Sequence, residues 1–324
     1  MASTTTTNIS DIHADIIEAH ILTGLDGPGL ASVASTCTHL KALSVQAHLW
    51  ANICRTTWPT TNNPRVRHFI STLPNASRSF FADSFPAATA TATTESKTVN
   101  LDRTPELISA VDIFHGDRLV LSRVVETETE SGWFRCSPFR VDLLDPKDTV
   151  ETGVEYPRSE EACGDLKEEL RLSWIVIDPN GGRAVNVSSG EAVTVRRHWL
   201  SGEVQARFAT VVGGGEIGSA KEAALCSVTV TFGWEMQVKE VSFQMEDMDG
   251  MQLSGRDSLG ILQRLLEGKR GKLREEGRRN GYMEFMKRKE ERKERKVRAE
   301  RRLDILCVGV AAFSFVAVST FFLF

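Results

Sequence analysis

Between Ile12 and Cys54, apolar residues recur three and four positions apart on both sides of a Gly27-Pro28-Gly29 break. Ile12, Ile16, Ile17, Ile21, Leu22 and Leu25 precede it, and Leu30, Val33, Leu40, Leu43, Leu49, Trp50 and Cys54 follow. This spacing places each set on one face of a short helix. A unit of about forty residues lies near the lower limit for closing its own core, so a partner is expected to cover the apolar surface left over. Further along, the period changes to two. Leu170, Leu172, Trp174 and Val176 alternate with Arg171, Ser173 and Ile175, and Val204, Ala206 and Phe208 alternate with Gln205, Arg207 and Ala209. Val228, Val230, Phe232 and Trp234 alternate with Thr229, Thr231 and Gly233, before Val238, Val241, Phe243 and Met245 follow a register change at Lys239-Glu240 that predicts a bulge. Residues 105–250 therefore read as a mainly antiparallel, sandwich-like domain with turn chemistry at Asp178-Pro179-Asn180-Gly181-Gly182. Trp133, Trp174, Trp199 and Trp234 are expected in its core, because large aromatics bury most of their surface where a core exists.

After Ser254 the helical period returns with Leu259, Ile261, Leu262, Leu265 and Leu266, and a highly charged stretch continues to Arg302. Pairs such as Glu291 with Arg295 and Glu294 with Arg298 predict a solvated helix. Ile305 to Phe324 holds no charge, and twenty residues at about 1.5 Å each span about 30 Å, a bilayer's hydrocarbon thickness. This predicts a C-terminal transmembrane tail anchor over 303–324, led by Arg295, Lys296, Arg298, Arg301 and Arg302, with the bulk of the chain in the cytosol. From Thr60 to Thr98 the chain is rich in Pro, Ser, Thr and Ala, and reads as a linker. Within it, Phe69, Leu73, Phe80, Phe81 and Phe85 predict a helical extension of the N-terminal unit.

Composition adds one asymmetry. Arg264 to Arg302 holds 17 Lys and Arg against 8 Asp and Glu, a net +9, which leaves −13 for the remainder of a chain whose total is −4. Many glutamates and few aromatics accompany the basic residues, so nucleic acid is not expected as a partner. Six scattered cysteines form no CxxC pair and predict a reduced chain without a zinc motif. The Ser/Thr-rich residues 1–10 predict neither a signal peptide nor a span.

Ile12-His13-Ala14-Asp15-Ile16-Ile17, then Ile21-Leu22 and Leu25, then Leu30-Ala31-Ser32-Val33, and Leu49-Trp50 with Ile53-Cys54 resemble an F-box, and the Trp58-Pro59 step resembles plant F-box proteins. The resemblance implies an α+β chain. A three-helix F-box over 8–58 is followed by a helical extension and low-complexity linker over 59–104, a β-rich substrate-recruiting domain over 105–253, a basic charged helix over 254–302 and the hydrophobic tail. It implies docking on a Skp-family adaptor, and through it a cullin, by Ile12, His13, Ile16, Ile17, Ile21, Leu22, Leu25, Leu30, Val33, Leu49 and Trp50. The implied function is the substrate-recognition subunit of an SCF-type ubiquitin ligase, non-catalytic and without cofactor, acting on a protein target at a membrane surface. The family usually has Leu-Pro where Ile12-His13 stands. Without proline to preset the first turn, Ser10 or Asp11 is placed to cap the helix, and adaptor binding is expected to be weakened but kept.

Other chemistry finds less support. Gly213, Gly215 and Gly218 match G-x-G-x-x-G, but Ser219 to Leu225 is too short for the crossover helix of a dinucleotide site, so a hairpin loop is expected. Glu246-Asp247-Met248-Asp249-Gly250 lacks the closing glutamate of a calcium loop and reads as a turn. No local Ser/His/Asp or Cys/His signature emerges from the seven histidines. The rival reading is a β-domain module that binds a glycan or small molecule.

Overall fold

The computed structural model describes residues 12–85, 101–214, 219–268, 270 and 275–323, with side chains as far as Phe315 except those of residues 275, 276 and 278. Its first part is helical: α1 (Ala14–His20), α2 (Gly27–Val33), α3 (Thr38–Ser44), α4 (Ala47–Thr57), α5 (Pro64–Thr72) and α6 (Ala76–Asp83). Four short helices, and not the expected three, lie between residues 14 and 57. Gly27-Pro28-Gly29 is not a break between them but the first turn of α2, with Pro28 presetting the helix and the Asp26 carboxylate accepting from Gly29 N at 2.8 Å. Gly27 is required there by close approach, since a Cβ would stand 2.0 Å from the Phe81 ring.

The remainder contains β1 (Glu106–His115), β2 (Arg118–Glu128), α7 (Gly132–Cys136), β3 (Arg140–Asp142), α8 (Glu160–Glu169), β4 (Leu170–Asp178), β5 (Arg183–Asn186), β6 (Gly190–Glu191), β7 (Thr194–Arg197), β8 (Val204–Gly213), β9 (Ala223–Phe232), β10 (Val238–Asp247), α9 (Gly255–Glu267) and α10 (Glu275–Leu323). One sheet runs β2-β1-β4-β5 with β6 beside β4, the other β3-β10-β9-β8-β7, and their pairings are antiparallel. The register shifts between Val238 and Glu240, at the bulge the sequence predicts. β8 and β9 are antiparallel neighbours, so the Gly213 segment joins a hairpin; residues 215–218 lie outside the described residues.

Side-chain alternation sorts the chain into layers. Val111, Ile113, Leu172, Trp174 and Val176 of the first sheet meet Phe208, Val228, Phe232 and Phe243 of the second in the main core, which α9 closes with Leu259, Leu262 and Leu266. The Trp174 indole donates to Ser109 Oγ at 3.1 Å within that core. The opposite face of the first sheet offers Ile108, Ala110, Ile175, Ile177 and Ala184, and these share one core with the N-terminal helices. On the outer face of the second sheet, Tyr282 and Phe285 of α10 pack against Ala209, Leu225 and Met248. The result is four layers: N-terminal helices, sheet, sheet, and α10.

Asp112 marks the seam between helices and sheet. Fully buried, it accepts from Thr60 N at 3.1 Å, Thr60 Oγ at 2.6 Å and Ser122 Oγ at 2.7 Å. Burial raises its carboxyl above the ordinary 3.8, against the opposing pull of the Thr60 and Ser122 hydrogen bonds. A raised folded value means that its contribution to stability is complete below the unfolded value and is lost as pH rises through the folded one. Asp112→Asn is therefore expected to gain melting temperature relative to the parent as pH rises from about 3 towards 8, a range that begins below the ordinary carboxyl value of about 3.9. A pH-independent difference between the two would refute the assignment.

Three tryptophans depart from the expected core. Trp133 on α7 is 84% exposed, Trp199 is 87% and Trp234 is 65% exposed, and only Trp174 of the four is buried. The alternation that pointed Trp234 inward ends at Phe232, where β9 stops. The chain then turns, with Met236 at a left-handed φ of 55°, and it is Met236 that enters the core.

The C-terminal expectation also fails. Among the described residues no helix is long and apolar enough to cross a membrane, which overturns the transmembrane tail over 303–324 and the membrane localisation built on it. The uncharged run is not an element of its own but the end of α10, continuous with the charged turns before it. Its described side chains, 305–315, amount to about 16 Å of helix, half the hydrocarbon thickness, and the side chains of 316–324 lie outside the described residues. Nor is the charged part of α10 merely solvated. Lys289 Nζ lies 2.8 Å from Glu246, and Arg292 and Lys296 each lie 2.8 Å from Asp249, which hold the Asp249 carboxyl below the usual carboxylate range. Glu294 and Arg298 form the expected pair at 2.8 Å, whereas Arg295 donates to the Glu291 carbonyl.

Candidate functional site

The eleven adaptor-facing positions read from the sequence divide into two groups. Ile17, Leu22, Leu30, Leu49 and Trp50 are buried in the helical core. Ile12, His13, Ile16 and Ile21 are exposed, and Leu25 and Val33 are half-buried beside them. Successive helical residues point about 100° apart, so Ile17 enters the core while Ile16 stands 51% exposed on the neighbouring flank of α1. Ile21, the residue that follows α1 at its C-cap, is 42% exposed. The exposed apolar positions form a strip in sequence, from Ile12 through Ile16 to Ile21, with Leu25 half-buried against the core before α2.

Local hydrogen bonding fixes this strip. His13 stands at the N-cap of α1, its Nδ1 accepting from Asp15 N at 3.3 Å; Ser10 and Asp11, expected as caps, lie outside the described residues. Glu18 of α1 accepts from His48 Nε2 and Gln46 Nε2, both at 3.0 Å, and so ties α1 to the start of α4. Next to it a cleft of about 190 Å³ is lined by Leu22, Thr23, His48, Leu49, Asn52, Ile53 and Arg55.

Trp50 works from inside. Its indole donates to the Ser44 carbonyl at 2.8 Å, its ring lies 5.4 Å from Phe81, and the Arg78 guanidinium sits 5.8 Å above it. Phe80 meets Trp58 edge-on at 5.9 Å and Phe69 at 6.3 Å. The helical unit is therefore completed by α5 and α6, beyond the Ile12 to Cys54 run. Two further links join it to the first sheet: Arg65 pairs with Glu106 and Glu126, and Arg183 with Asp83 at 2.8 Å.

Among the described residues no group of three or more His, Cys, Asp or Glu side chains is arranged to hold a metal. All six cysteines are free, and burial pushes the Cys54 and Cys226 thiols up to about 12, far from the thiolate form at neutral pH.

Comparison with known proteins gives three matches over most of the chain. The chain is 48% identical over 326 residues to a probable F-box protein of Arabidopsis thaliana, covering 98% of this chain and 95% of that protein. Two F-box proteins of the same plant match at 42% over 332 residues, covering 98% and 96%, and at 41% over 307 residues, covering 90% and 83%. No family model matches the chain. No solved structure matches it.

Proposed function

The chain belongs to the F-box proteins, and on that premise we propose that it is the substrate-recognition subunit of an SCF-type ubiquitin ligase. Ile12, His13, Ile16, Ile21, Leu25 and Val33 form its contact with a Skp-family adaptor, and through the adaptor with a cullin. Ile17, Leu22, Leu30, Leu49 and Trp50 act by holding that strip in shape. The observation that carries this reading is the exposure of Ile12, Ile16 and Ile21 on a unit whose own core is already closed by α5, α6 and the first sheet. An exposed apolar strip with no intramolecular cover is the signature of a docking face.

The chain itself performs no bond chemistry in this scheme. It contributes proximity, and the seating of the helices on Ile108, Ala110, Ile175, Ile177 and Ala184 makes that proximity a fixed geometry instead of the loose concentration effect of a flexible tether. The β domain is held at one distance and orientation from the adaptor, as a receptor that must present its target to a second enzyme requires.

Full-length chain with Ile16→Glu and Ile21→Glu should capture a recombinant Skp adaptor at least about tenfold more weakly than the parent, by the scale of interface anchor residues. Its melting temperature should stay near that of the parent, because both residues face water. A parent chain that fails to bind the adaptor at micromolar concentration, or a double variant that binds equally well, rules the scheme out.

A further inference from the structure

Helix α9 uses two faces. Leu259, Leu262 and Leu266 close the main core, while Arg256, Asp257, Gly260 and Arg264, on the other side of the helix, line a cavity of about 330 Å³. Gly214 and Lys221, at the end of the β8–β9 hairpin, complete its polar lining, and Leu101, Leu253 and Ile261 supply apolar wall. Leu253 and Ile261 are buried and Leu101 is half-buried. The volume lies at the small end of the about 300–1,000 Å³ usual for small-molecule sites.

The charges of this lining do not cancel. Asp257 is its one carboxylate among the described residues, and Lys221 Nζ holds it at 2.8 Å. Arg256 is exposed and has no ion-pair or hydrogen-bond partner among the described residues. The Arg264 guanidinium donates to the Gly214 carbonyl and meets no carboxylate among the described residues. Desolvation pulls its pKa below the ordinary 12.5, with no acid opposing the shift. The acids next along the chain are held elsewhere: Asp102 by Arg135 at 2.7 Å, Glu267 by Arg103 at 3.1 Å and Glu222 by Arg288 at 3.9 Å, while Glu216 lies outside the described residues. Two guanidinium groups are left over.

Gly260 stands between them, four residues from each and so on the same row of the helix. Glycine inside a helix is unfavourable relative to alanine, and Gly260 neither caps α9 nor takes a left-handed φ that would require it. What its missing side chain provides is room in the cavity.

We propose that this cavity binds a small amphiphilic anion, its carboxylate or phosphate head held by Arg256 and Arg264 over Gly260 and its apolar body lying against Leu101, Leu253 and Ile261. A guanidinium fork matches either head group bidentately. The inference goes beyond the ligase reading and does not rest on it.

The test is thermal melting of the full-length chain in rising concentrations of hexanoate, hexyl phosphate, hexanol or inorganic phosphate. Hexanoate, hexyl phosphate or both should raise the melting temperature in a saturable way, as a ligand of the folded state does, and the lower half-saturating concentration identifies the preferred head. Hexanol and inorganic phosphate should be ineffective at the same concentrations. Arg256→Gln should raise the half-saturating concentration about tenfold or more, the scale of one charged hydrogen bond. Gly260→Leu, which fills the cavity with a good helix former, should abolish the response. Both variants should melt near the parental temperature without additive. No response to either amphiphilic anion, an equal response to hexanol or to inorganic phosphate, or a response that Arg256→Gln leaves unchanged would each overturn the proposal.

Discussion

Phe80→Ala is expected to lower the stability of the chain by about 3–5 kcal/mol, the usual cost of emptying a phenylalanine site in a closed core. It should also abolish adaptor capture, although Phe80 lies well outside the segment that resembles an F-box. Phe80 is fully buried at the point where Trp58 and Phe69 converge on α6, and Phe81 beside it covers Trp50 and fills the space that Gly27 leaves open. Removing the ring leaves a void between α4, α5 and α6, and the helices that carry Ile16 and Ile21 lose the floor they rest on. A loss of this size is a large share of the about 5–15 kcal/mol that holds a typical domain folded. Urea unfolding followed by tryptophan fluorescence measures the first effect and adaptor pull-down the second. An unchanged midpoint with full capture would show that the helical unit closes without α6. For the same reason a fragment of residues 1–70 is a poor probe of adaptor binding, since it omits both phenylalanines.

Arg270→Ala is expected to cost about 3 kcal/mol, in the range seen when a buried charged network loses one member. The Arg270 guanidinium donates to five carbonyls: Asp83 at 2.7 Å, Leu265 and Gly268 at 2.8 Å, Ala184 at 2.6 Å and Leu266 at 3.1 Å. Those carbonyls belong to α6, to β5 and to the C-terminal end of α9, so one side chain pins the helical layer, the first sheet and the helix that closes the main core. At the end of α9 it adds donors to the last carbonyls, sharing that of Leu265 with the Gly268 N–H, and places a cation at the negative end of the dipole. Burial lowers its pKa to about 10, partly offset by the Asp83 carboxylate, and leaves it charged at neutral pH. Arg270→Lys should restore less than half of the loss, because an ammonium has three donors and no planar fork. The check is the urea midpoint of both variants, with amide exchange over β5 and α9 as the local readout. A lysine variant as stable as the parent would show that charge alone, and not the fork, makes the joint.

The β domain was legible where polar residues interrupt the apolar ones at every second position, and obscure where they do not. Strand β4 follows the alternation read from Leu170 to Val176, and β8, β9 and the bulge after Val238 lie where the pattern places them. Strand β1 was missed as an element because it sits between two layers. Leu107, Val111 and Ile113 face the main core while Ile108 and Ala110 face the helices, so its sequence shows a nearly continuous apolar run with no period. Helix α8 went unread as well, since only Cys163 and Leu166 on it are buried and it ends directly against β4. Of the adaptor-facing positions, the set was legible but its inside and outside were not. Periodicity groups Ile16 with Ile17 and Leu49 with Trp50 as neighbours on apolar flanks, and only the covering elements decide which of each pair is left in water.

The amino-acid sequence by itself determined the type and order of the elements and the family, through spacing that backbone geometry converts directly into helices and strands. Tertiary structure decided what covers each face. Trp50 became a support for the strip because Phe81, thirty-one residues later, lies over it. Trp234 came to the surface because β9 ends at Phe232 and Met236 takes the core position. The charged helix became a layer because Asp249 and Glu246 wait for its cations on the outer sheet. The uncharged tail, conversely, proved to be the end of that same helix, and no described helix is long and apolar enough to cross a membrane. Each outcome depends on contacts between residues distant in the chain, and local periodicity carries no information about those contacts.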